Sequence, residues 1–137
     1  GITSCENSEA VVYKFWEELG CRCIKIDASM HDEMVAKVSH LPHLISSALA
    51  ITSLGDKSDD VKLAGPGIKG MTRVALGSPD MWAEILLHNK DSVEKVLSEH
   101  IDSISEVLKH LKDGQHEEIL KFLNKARENR INCFPSD

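Results

Sequence analysis

A positive charge balance, a signal-peptide pattern and a long uninterrupted apolar run are all absent from this sequence. Its net charge is −6, whereas nucleic acids and anionic membranes are bound through a basic face. A membrane-spanning helix needs roughly 20 mainly apolar residues in a row. We therefore expect neither a nucleic-acid partner nor a membrane partner.

Cysteine pairs with the spacing of a redox or metal motif are also absent. The four cysteines, Cys5, Cys21, Cys23 and Cys133, form no C-x-x-C pair. Cys21 and Cys23 are two residues apart and would lie on the same face of a strand, where they are poorly placed to bridge each other. Reduced thiols of this kind predict a cytoplasmic protein.

The composition is that of an ordinary soluble domain. The chain has 137 residues, of which 42% are hydrophobic and 28% charged. That length is sufficient to bury a hydrophobic core.

Residues 31–43 concentrate the polar groups that could carry chemistry. His31, Ser39 and His43 are separated by multiples of four residues, so a straight helix would place them along one broad stripe. An apolar stripe runs beside them and consists of Met34, Val38, Leu41 and Ile45.

Pro42 lies inside this predicted helix. Proline has no N–H to donate to the carbonyl of Val38, and its ring crowds that carbonyl, at a cost of about 3 kcal/mol in a helix interior. We expect a kink or a helix break there, with polar side chains around it. The alternative is that His40 is a hydrogen-bonded core residue and that Pro42 merely ends a helix.

Residues 1–28 differ from the rest of the chain. Asn7 or Ser8 can cap a helix that ends at Gly20, and Cys21–Ile26 has the pattern of a short strand. One helix and one strand cannot make a sheet, because the strand needs neighbours for its backbone hydrogen bonds. We therefore interpret residues 1–28 as the end of a truncated α/β domain.

Residues 29–137 have helical periodicity, with a buried helix at residues 44–54, a polar, glycine-containing connection at 55–70 and a short helical piece at 71–75. A restart at Ser78-Pro79 and a last helix at 119–126 follow. The polar tail from Arg127 is expected to fray or to contact a neighbour. The longest apolar repeat, a seam at nearly heptad spacing, stops at Gly114. It comprises Val93, Leu97, Ile101, Ile104, Leu108 and Leu111. The predicted fold is mainly α, a helical domain that dimerises through this seam.

Residues 65–70 spell G-x-G-x-x-G, but the motif should follow a buried strand, and only four residues with some apolar character precede it. We therefore reject a dinucleotide site here. We expect the glycines to let the backbone approach another surface closely.

Lys69 and Arg73 are the notable cations of this acidic chain. Together with His31, Ser39, His40 and His43 they could form a local anion site, since a guanidinium holds a carboxylate by two parallel hydrogen bonds. The alternative for Arg73 is a surface or interdomain ion pair. Trp82 could wall a pocket or pack in the core. The remaining histidines are expected to be solvated: His88, His100, His110 and His116.

Two further chemistries fit the central stretch less well. His31-Asp32 with His40 and His43 could bind a metal ion, but Pro42 distorts the spacing and no second carboxylate cluster accompanies them. Ser39 lies on a helix without the glycines of a nucleophile elbow, which argues against a catalytic triad.

Several motifs coincide with one family. The sequence resembles the C-terminal domain of prephenate dehydrogenase and its arogenate-using relatives in the order and spacing of four segments. These are His31-Asp32, the run Ser39-His40-Leu41-Pro42-His43, residues 67–75 and residues 78–82. Residues 9–28 are similar to the closing helix and strand of that family's nucleotide-binding domain.

The resemblance implies an enzyme that oxidatively decarboxylates prephenate with NAD or NADP to 4-hydroxyphenylpyruvate, in tyrosine biosynthesis. It implies that residues 29–137 form a homodimer and bind the substrate. His43 and Arg73 are similar to the family's substrate-contacting histidine and carboxylate-binding arginine. Ser39 and His31 match positions near the substrate, and Trp82 would reach toward the partner subunit's site.

Two departures and one absence qualify the resemblance. Gly70 stands where the family commonly has an acidic residue, and Pro66 interrupts a run of glycines. The family's cofactor loop and catalytic histidine belong to a preceding domain, so no catalytic residue and no bound cofactor are expected in this chain. We expect a piece of a longer enzyme that is inactive alone. The alternatives are a stand-alone helical dimer that binds an aromatic acid for regulation, and a helical metal-binding protein.

Overall fold

The computed structural model describes residues 6–55 and 62–135, which are helical or irregular and include no strand. They divide into two compact units, one ending at His31 and the other beginning at Asp32. The elements are α1 (Glu6–Glu18), α2 (Ala28–Val35), a π-helical segment (Ala36–His40), α3 (Leu41–Ser53), α4 (Pro66–Met71), a 3-10 helix (Arg73–Leu76), α5 (Pro79–His88), α6 (Lys90–Lys112) and α7 (His116–Cys133). The mainly α fold predicted from the sequence is confirmed.

Helix α1 ends as predicted at Gly20, which has a positive φ of 81°. The Cys21 N–H donates to the Trp16 carbonyl at 3.0 Å and the Gly20 N–H to the Glu17 carbonyl at 2.9 Å, which is the Schellman arrangement. The predicted start is wrong, since α1 already includes Glu6 and places Asn7 and Ser8 inside the helix.

The strand predicted at Cys21–Ile26 is not formed: residues 21–27 lie outside any helix or strand. A strand needs a neighbouring strand for its backbone hydrogen bonds, and no second strand is present in the described chain to supply them. The Lys25 Nζ instead donates to the Glu9 carboxylate at 2.6 Å. This hydrogen bond and the charge of Glu9 raise the pKa of Lys25.

Asp27 caps helix α2, a role that the sequence analysis missed. Its Oδ1 accepts hydrogen bonds from the Ser29 hydroxyl at 2.7 Å and from the Ser29 N–H at 2.9 Å. These bonds, led by the one from the Ser29 side chain, lower the pKa of Asp27. The side chain is exposed, so the cap acts locally.

The chain remains helical through Pro42. The expected irregularity is present as the π-helical segment, in which the Leu41 N–H donates to the Ala36 carbonyl five residues earlier. Pro42 then falls in the first turn of α3, where a missing N–H costs little. The expected break does not occur, because the wider π turn separates the two α-helical registers.

The continuous helix Ala28–Ser53 is long and apolar enough, by length and composition, to cross a membrane. The prediction that no membrane-spanning helix is present was based on uninterrupted runs of apolar residues. In this helix, polar residues stand between the apolar ones. Its π-helical segment and α3 pack against α6, and α3 also packs against the 3-10 helix. His40, His43 and Ser46 are buried along it. These contacts place the second half of the helix against the other elements of its unit.

The later elements follow the predicted order with shifted bounds. Ser78 caps α5, with its Oγ accepting from the Met81 N–H at 3.5 Å, and α6 ends before Gly114 at a φ of 64°. Helix α4 occupies Pro66–Met71, where a loop was expected, and α7 runs to Cys133 instead of ending near residue 126. Part of the connection predicted at residues 55–70 lies outside the described residues.

The apolar core of the described chain is small. Ala36, Val93 and Val96 are buried, with partly buried leucines packed around them. The apolar seam of residues 93–111 lies on α6 and is called the α6 seam from here on. Its residues from Ile101 onward each have half or more of their surface exposed: Ile101 54%, Ile104 51%, Leu108 51% and Leu111 60%. The single chain therefore leaves a regular apolar stripe uncovered.

Candidate functional site

The centre of the candidate site is a stack of two rings. His43 on α3 and Trp82 on α5 have ring centroids 3.7 Å apart and planes inclined by 22°. His43 is buried, with 8% of its surface exposed. The indole therefore fixes the plane of an imidazole that is withdrawn from solvent.

Gly77 closes one side of this stack. A Cβ at this position would lie 2.5 Å from the Trp82 Nε1, 2.8 Å from the Trp82 Cδ1 and 3.2 Å from the His43 Nε2. Its backbone is extended, at φ −60° and ψ 156°, which any residue adopts. Glycine is required here for space, because the turn between the 3-10 helix and α5 passes directly over both rings.

His40 contacts both Trp82 and Asn89. The rings of His40 and Trp82 meet edge to face, with centroids 6.2 Å apart and planes at 84°. The Asn89 side-chain amide lies 3.4 Å from the His40 Nδ1 and donates to the Asp32 carbonyl at 2.7 Å. This contact connects the α5–α6 junction to the turn before the π-helical segment. The alternative in which His40 is a hydrogen-bonded core residue agrees with this arrangement.

Two buried polar atoms in this region have no hydrogen-bond partner among the described residues: the His43 Nε2 and the Ser46 Oγ. Buried polar atoms without partners are rare, since leaving one unpaired costs about 1–3 kcal/mol. Ser46 follows His43 by three residues, so both lie on the same face of α3. The His43 Nε2 is therefore the atom best suited to meet a polar ligand.

The structure brings together only some of the predicted site residues. His43 and Trp82 are stacked, and Arg73 begins the 3-10 helix that packs against α3, with its own side chain exposed. Ser39 is exposed in the π-helical segment. His31 is exposed and belongs to the first unit.

Of the four histidines expected to be solvated, His88 and His116 are exposed and His100 is half-buried. The prediction is wrong for His110, whose side chain is 16% exposed. The His110 Nδ1 lies 2.6 Å from the Gln115 Oε1, at the turn that ends α6. Its sequence neighbours are charged, but the reversal of the chain after α6 covers the ring.

Among the described residues, no group of three or more His, Cys, Asp or Glu side chains could hold a metal ion. His40 instead contacts Asn89 and Trp82, and His43 stacks on the indole. The donor arrangement in the described ranges therefore gives no support to a metal site.

The family model for the dimerization domain of prephenate dehydrogenase matches residues 27–125. The chain belongs to this family. It is 27% identical to prephenate dehydrogenase of Bacillus subtilis over 112 residues, which are 78% of this chain and 30% of that protein. It is 34% identical to prephenate dehydrogenase of Lactococcus lactis over 98 residues, or 64% of this chain and 26% of that protein.

A solved structure is similar over nearly the whole chain. Prephenate dehydrogenase from Aquifex aeolicus, in complex with hydroxyphenyl propionate and NAD+, has a TM-score of 0.84 and 26% identity, covering 97% of this chain and 48% of that one. The chain thus spans less than half the length of these prephenate dehydrogenases. It corresponds to the C-terminal part of such enzymes.

Three members of the cluster in this dimerization domain were not predicted from the sequence: Gly77, Ser46 and the Asn89 side chain. Gly77 precedes the cap Ser78 and was open to interpretation as an ordinary turn glycine. Ser46 follows His43 at helical spacing, and that spacing was the available signal. Asn89 contacts a carbonyl 57 residues earlier in the chain, which no local pattern indicates.

Proposed function

We propose that this chain is the dimerisation and substrate-binding part of a cytoplasmic enzyme that oxidatively decarboxylates prephenate, or arogenate, with NAD or NADP. With prephenate the product is 4-hydroxyphenylpyruvate, a step of tyrosine biosynthesis. The observation that carries the proposal is the buried, unpaired His43 Nε2 on the indole of Trp82, in a chain of the prephenate dehydrogenase family.

Prephenate carries two carboxylates, and the chain offers cationic and polar groups on adjoining elements. Arg73 can hold one carboxylate by two parallel hydrogen bonds, since the 3-10 helix that bears it packs against α3. The His43 Nε2 can hydrogen-bond a polar group of the substrate ring. Ser39, His31 and Trp82 are proposed as further substrate contacts. Ionic hydrogen bonds of this kind strengthen where water is excluded.

No dinucleotide-binding motif among the described residues fits the cofactor. The G-x-G-x-x-G at residues 65–70 forms the start of the six-residue helix α4 and lacks the preceding buried strand of a dinucleotide site. NAD or NADP would be held by the portion that relatives carry outside the matched region. We propose that residues 1–28 close that nucleotide-binding domain, and that the chain alone does not turn over substrate.

The exposed half of the α6 seam supports a homodimer. An apolar stripe at heptad-like spacing on a long helix is a surface that a second copy of the same helix can cover. The family to which the chain belongs is named for dimerization.

The coding sequence upstream, in the same reading frame, tests the proposal first. We expect a strand, a glycine-rich turn and a helix there. Turnover is then measured with prephenate or arogenate and NAD or NADP, on the 137-residue chain and on the protein that includes the upstream region. Only the longer protein should reduce the cofactor. Reduced cofactor from the short chain, or none from the long one, would contradict the proposal.

Arg73→Ala in the longer protein tests the substrate site. Losing hydrogen bonds to a charged group costs about 1.5–3 kcal/mol, so the KM for the substrate should rise roughly 10- to 100-fold. His43→Ala should act in the same direction. Arg127→Ala and His88→Ala remove the same side-chain types from exposed positions and serve as controls. Equal effects of the variants and their controls would exclude the assigned contacts.

A further inference from the structure

Asn89, at the start of α6, makes an unusual side-chain hydrogen bond. It is the N-cap residue of α6, where asparagine normally accepts a hydrogen bond from a backbone N–H of the first turn. No such cap bond is made by its side chain. The amide nitrogen instead donates to the Asp32 carbonyl at 2.7 Å. The side chain is therefore committed to the segment before the π-helical turn.

The orientation of the Asn89 amide follows from this contact. A backbone carbonyl can only accept, so the group facing the Asp32 oxygen is the NH₂ group. The same nitrogen lies 3.4 Å from the His40 Nδ1 and has a second hydrogen to donate. The His40 Nδ1 must then be the acceptor, and the ring proton of neutral His40 lies on Nε2.

His40 transmits this orientation to the candidate site. Its ring meets the indole of Trp82 edge to face at 6.2 Å, and the same indole stacks on His43 at 3.7 Å. Gly77 presses on the same indole, so Trp82 has little room to rotate. Asn89, His40, Trp82 and His43 thus form a continuous series of contacts that ends at the unpaired Nε2 of His43.

We propose that Asn89 is a positioning residue: by fixing the tautomer and the plane of His40 it sets the plane of Trp82, and through it the direction in which His43 presents its Nε2. Asn89 touches no reacting atom in this assignment. The catalytic consequence rests on the proposed function, whereas the tautomer of His40 is a property of the chain itself.

Asn89→Asp separates this role from helix capping. Aspartate has the same shape, is as good an N-cap residue as asparagine and is favoured by the helix dipole, so a capping role predicts no loss of stability. A positioning role predicts damage, because the carboxylate offers an acceptor where the Asp32 carbonyl and the His40 Nδ1 both need a donor. Asn124→Asp makes the same change at an exposed position of α7 and is the matched control.

The first measurement is the nitrogen NMR of the histidine side chains in the 137-residue chain, with the His40 signal identified by its loss in His40→Ala. We expect a protonated Nε2 and an unprotonated Nδ1 in the unaltered protein and in Asn124→Asp. In Asn89→Asp the His40 Nδ1 should become protonated. An unchanged His40 tautomer in Asn89→Asp would overturn the proposal.

The second measurement is steady-state kinetics on the longer protein. Asn89→Asp should lower kcat/KM for prephenate by about 10- to 100-fold, as expected for a misplaced contact residue, and leave the KM for the cofactor unchanged. In the double variant with His40→Ala the loss should be no larger than in His40→Ala alone. Fully additive losses would overturn the proposal. An unaltered longer protein without any turnover would instead overturn the proposed function, and the NMR result would still decide the role of Asn89.

Discussion

The cluster around His43 and Trp82 contains polar residues that are buried, whereas the α6 seam from Ile101 onward consists of apolar residues that are exposed. His40, His43 and Ser46 are polar and buried, each with less than a tenth of its surface exposed. Ile101, Ile104 and Leu108 are apolar and about half exposed. A globular domain normally shows the reverse arrangement, so each region needs its own explanation.

One chain covers the polar residues around His43 with its own elements, but it leaves the apolar residues of the α6 seam from Ile101 onward exposed. Around His43 the described ring contacts come from Trp82 on α5 and from the Gly77 turn of the same chain. Along α6 the seam residues from Ile101 to Leu111 remain half or more exposed in the described chain. Contiguous apolar surface of this kind marks an interface. The site is therefore formed by packing within one chain, whereas the seam is an apolar surface that a second surface can cover.

Ile104→Glu is expected to have the largest effect. If two copies pair through the seam, the variant buries a carboxylate in each copy, and the penalty is several kcal/mol per ion. The dimer should dissociate, and the unfolding temperature should lose its dependence on protein concentration. Sedimentation velocity and thermal unfolding at several concentrations measure both.

The control for this prediction is Ser105→Glu, which adds the same charge at an exposed neighbouring position outside the seam. It should leave the oligomeric state unchanged. Dissociation by both variants, or by neither, would show that the seam is not the interface and would remove the explanation offered for its exposure.

Gly77→Ala should have the next largest effect, confined to the site. The added methyl group would lie 2.5 Å from the Trp82 Nε1, so the indole or the turn must move. Overpacking of this kind costs about 1–3 kcal/mol. Denaturant unfolding and the near-ultraviolet circular dichroism of tryptophan should both change. Gly70→Ala adds a methyl group with nothing within 4 Å and should be neutral or slightly stabilising.

Ser46→Ala tests whether the buried hydroxyl is really unpaired. Removing a buried polar atom that has no partner recovers its desolvation cost, so stability should rise by up to about 1 kcal/mol. Ser105→Ala, at an exposed position, should stay within about 0.5 kcal/mol of the unaltered protein. A clear loss of stability in Ser46→Ala would mean that the hydroxyl is hydrogen-bonded in solution.

The smallest effect is expected at Asp27, which is exposed and accepts hydrogen bonds from Ser29 and Met30 through its Oδ1. Its pKa is lowered from 3.8, so its stabilising contribution is present above pH 3.8 and is lost as the pH falls through the lower folded-state value. Asn at this position still accepts hydrogen bonds but does not titrate. Asp27→Asn should therefore flatten the acid side of the stability curve slightly, as measured by denaturant unfolding between pH 6 and pH 2.

Local signals in the sequence predicted the helices and several of their ends. Gly20 and Gly114 end helices because their positive φ angles suit glycine, and Ser78-Pro79 begins α5 because a hydroxyl cap and a fixed φ act within one turn. The mainly α fold followed from these features and from apolar periodicity. The strand at Cys21–Ile26 is not formed because a strand needs a neighbour to pair with, and the described residues include no other strand.

The site was only partly predictable, because its geometry depends on contacts between distant segments. His43 and Trp82 were singled out from the sequence, and their stacking adds the mutual orientation. Four-residue spacing suggested a straight stripe from His31 to His43, but the π-helical segment interrupts that register. The contact of Asn89 with the Asp32 carbonyl joins residues 57 positions apart, which no helix-length window includes.

The π-helical turn sets how far α3 is rotated about the axis of the helix Ala28–Ser53. A wider turn adds a residue without ending the helix, so everything after it is rotated about the axis relative to everything before it. Removing one residue between positions 36 and 40 would restore an ordinary ladder and swing the imidazole of position 43 away from the indole. Insertion or loss of a single codon in this turn would therefore rotate all of α3, and its buried Ser46 would move together with the imidazole.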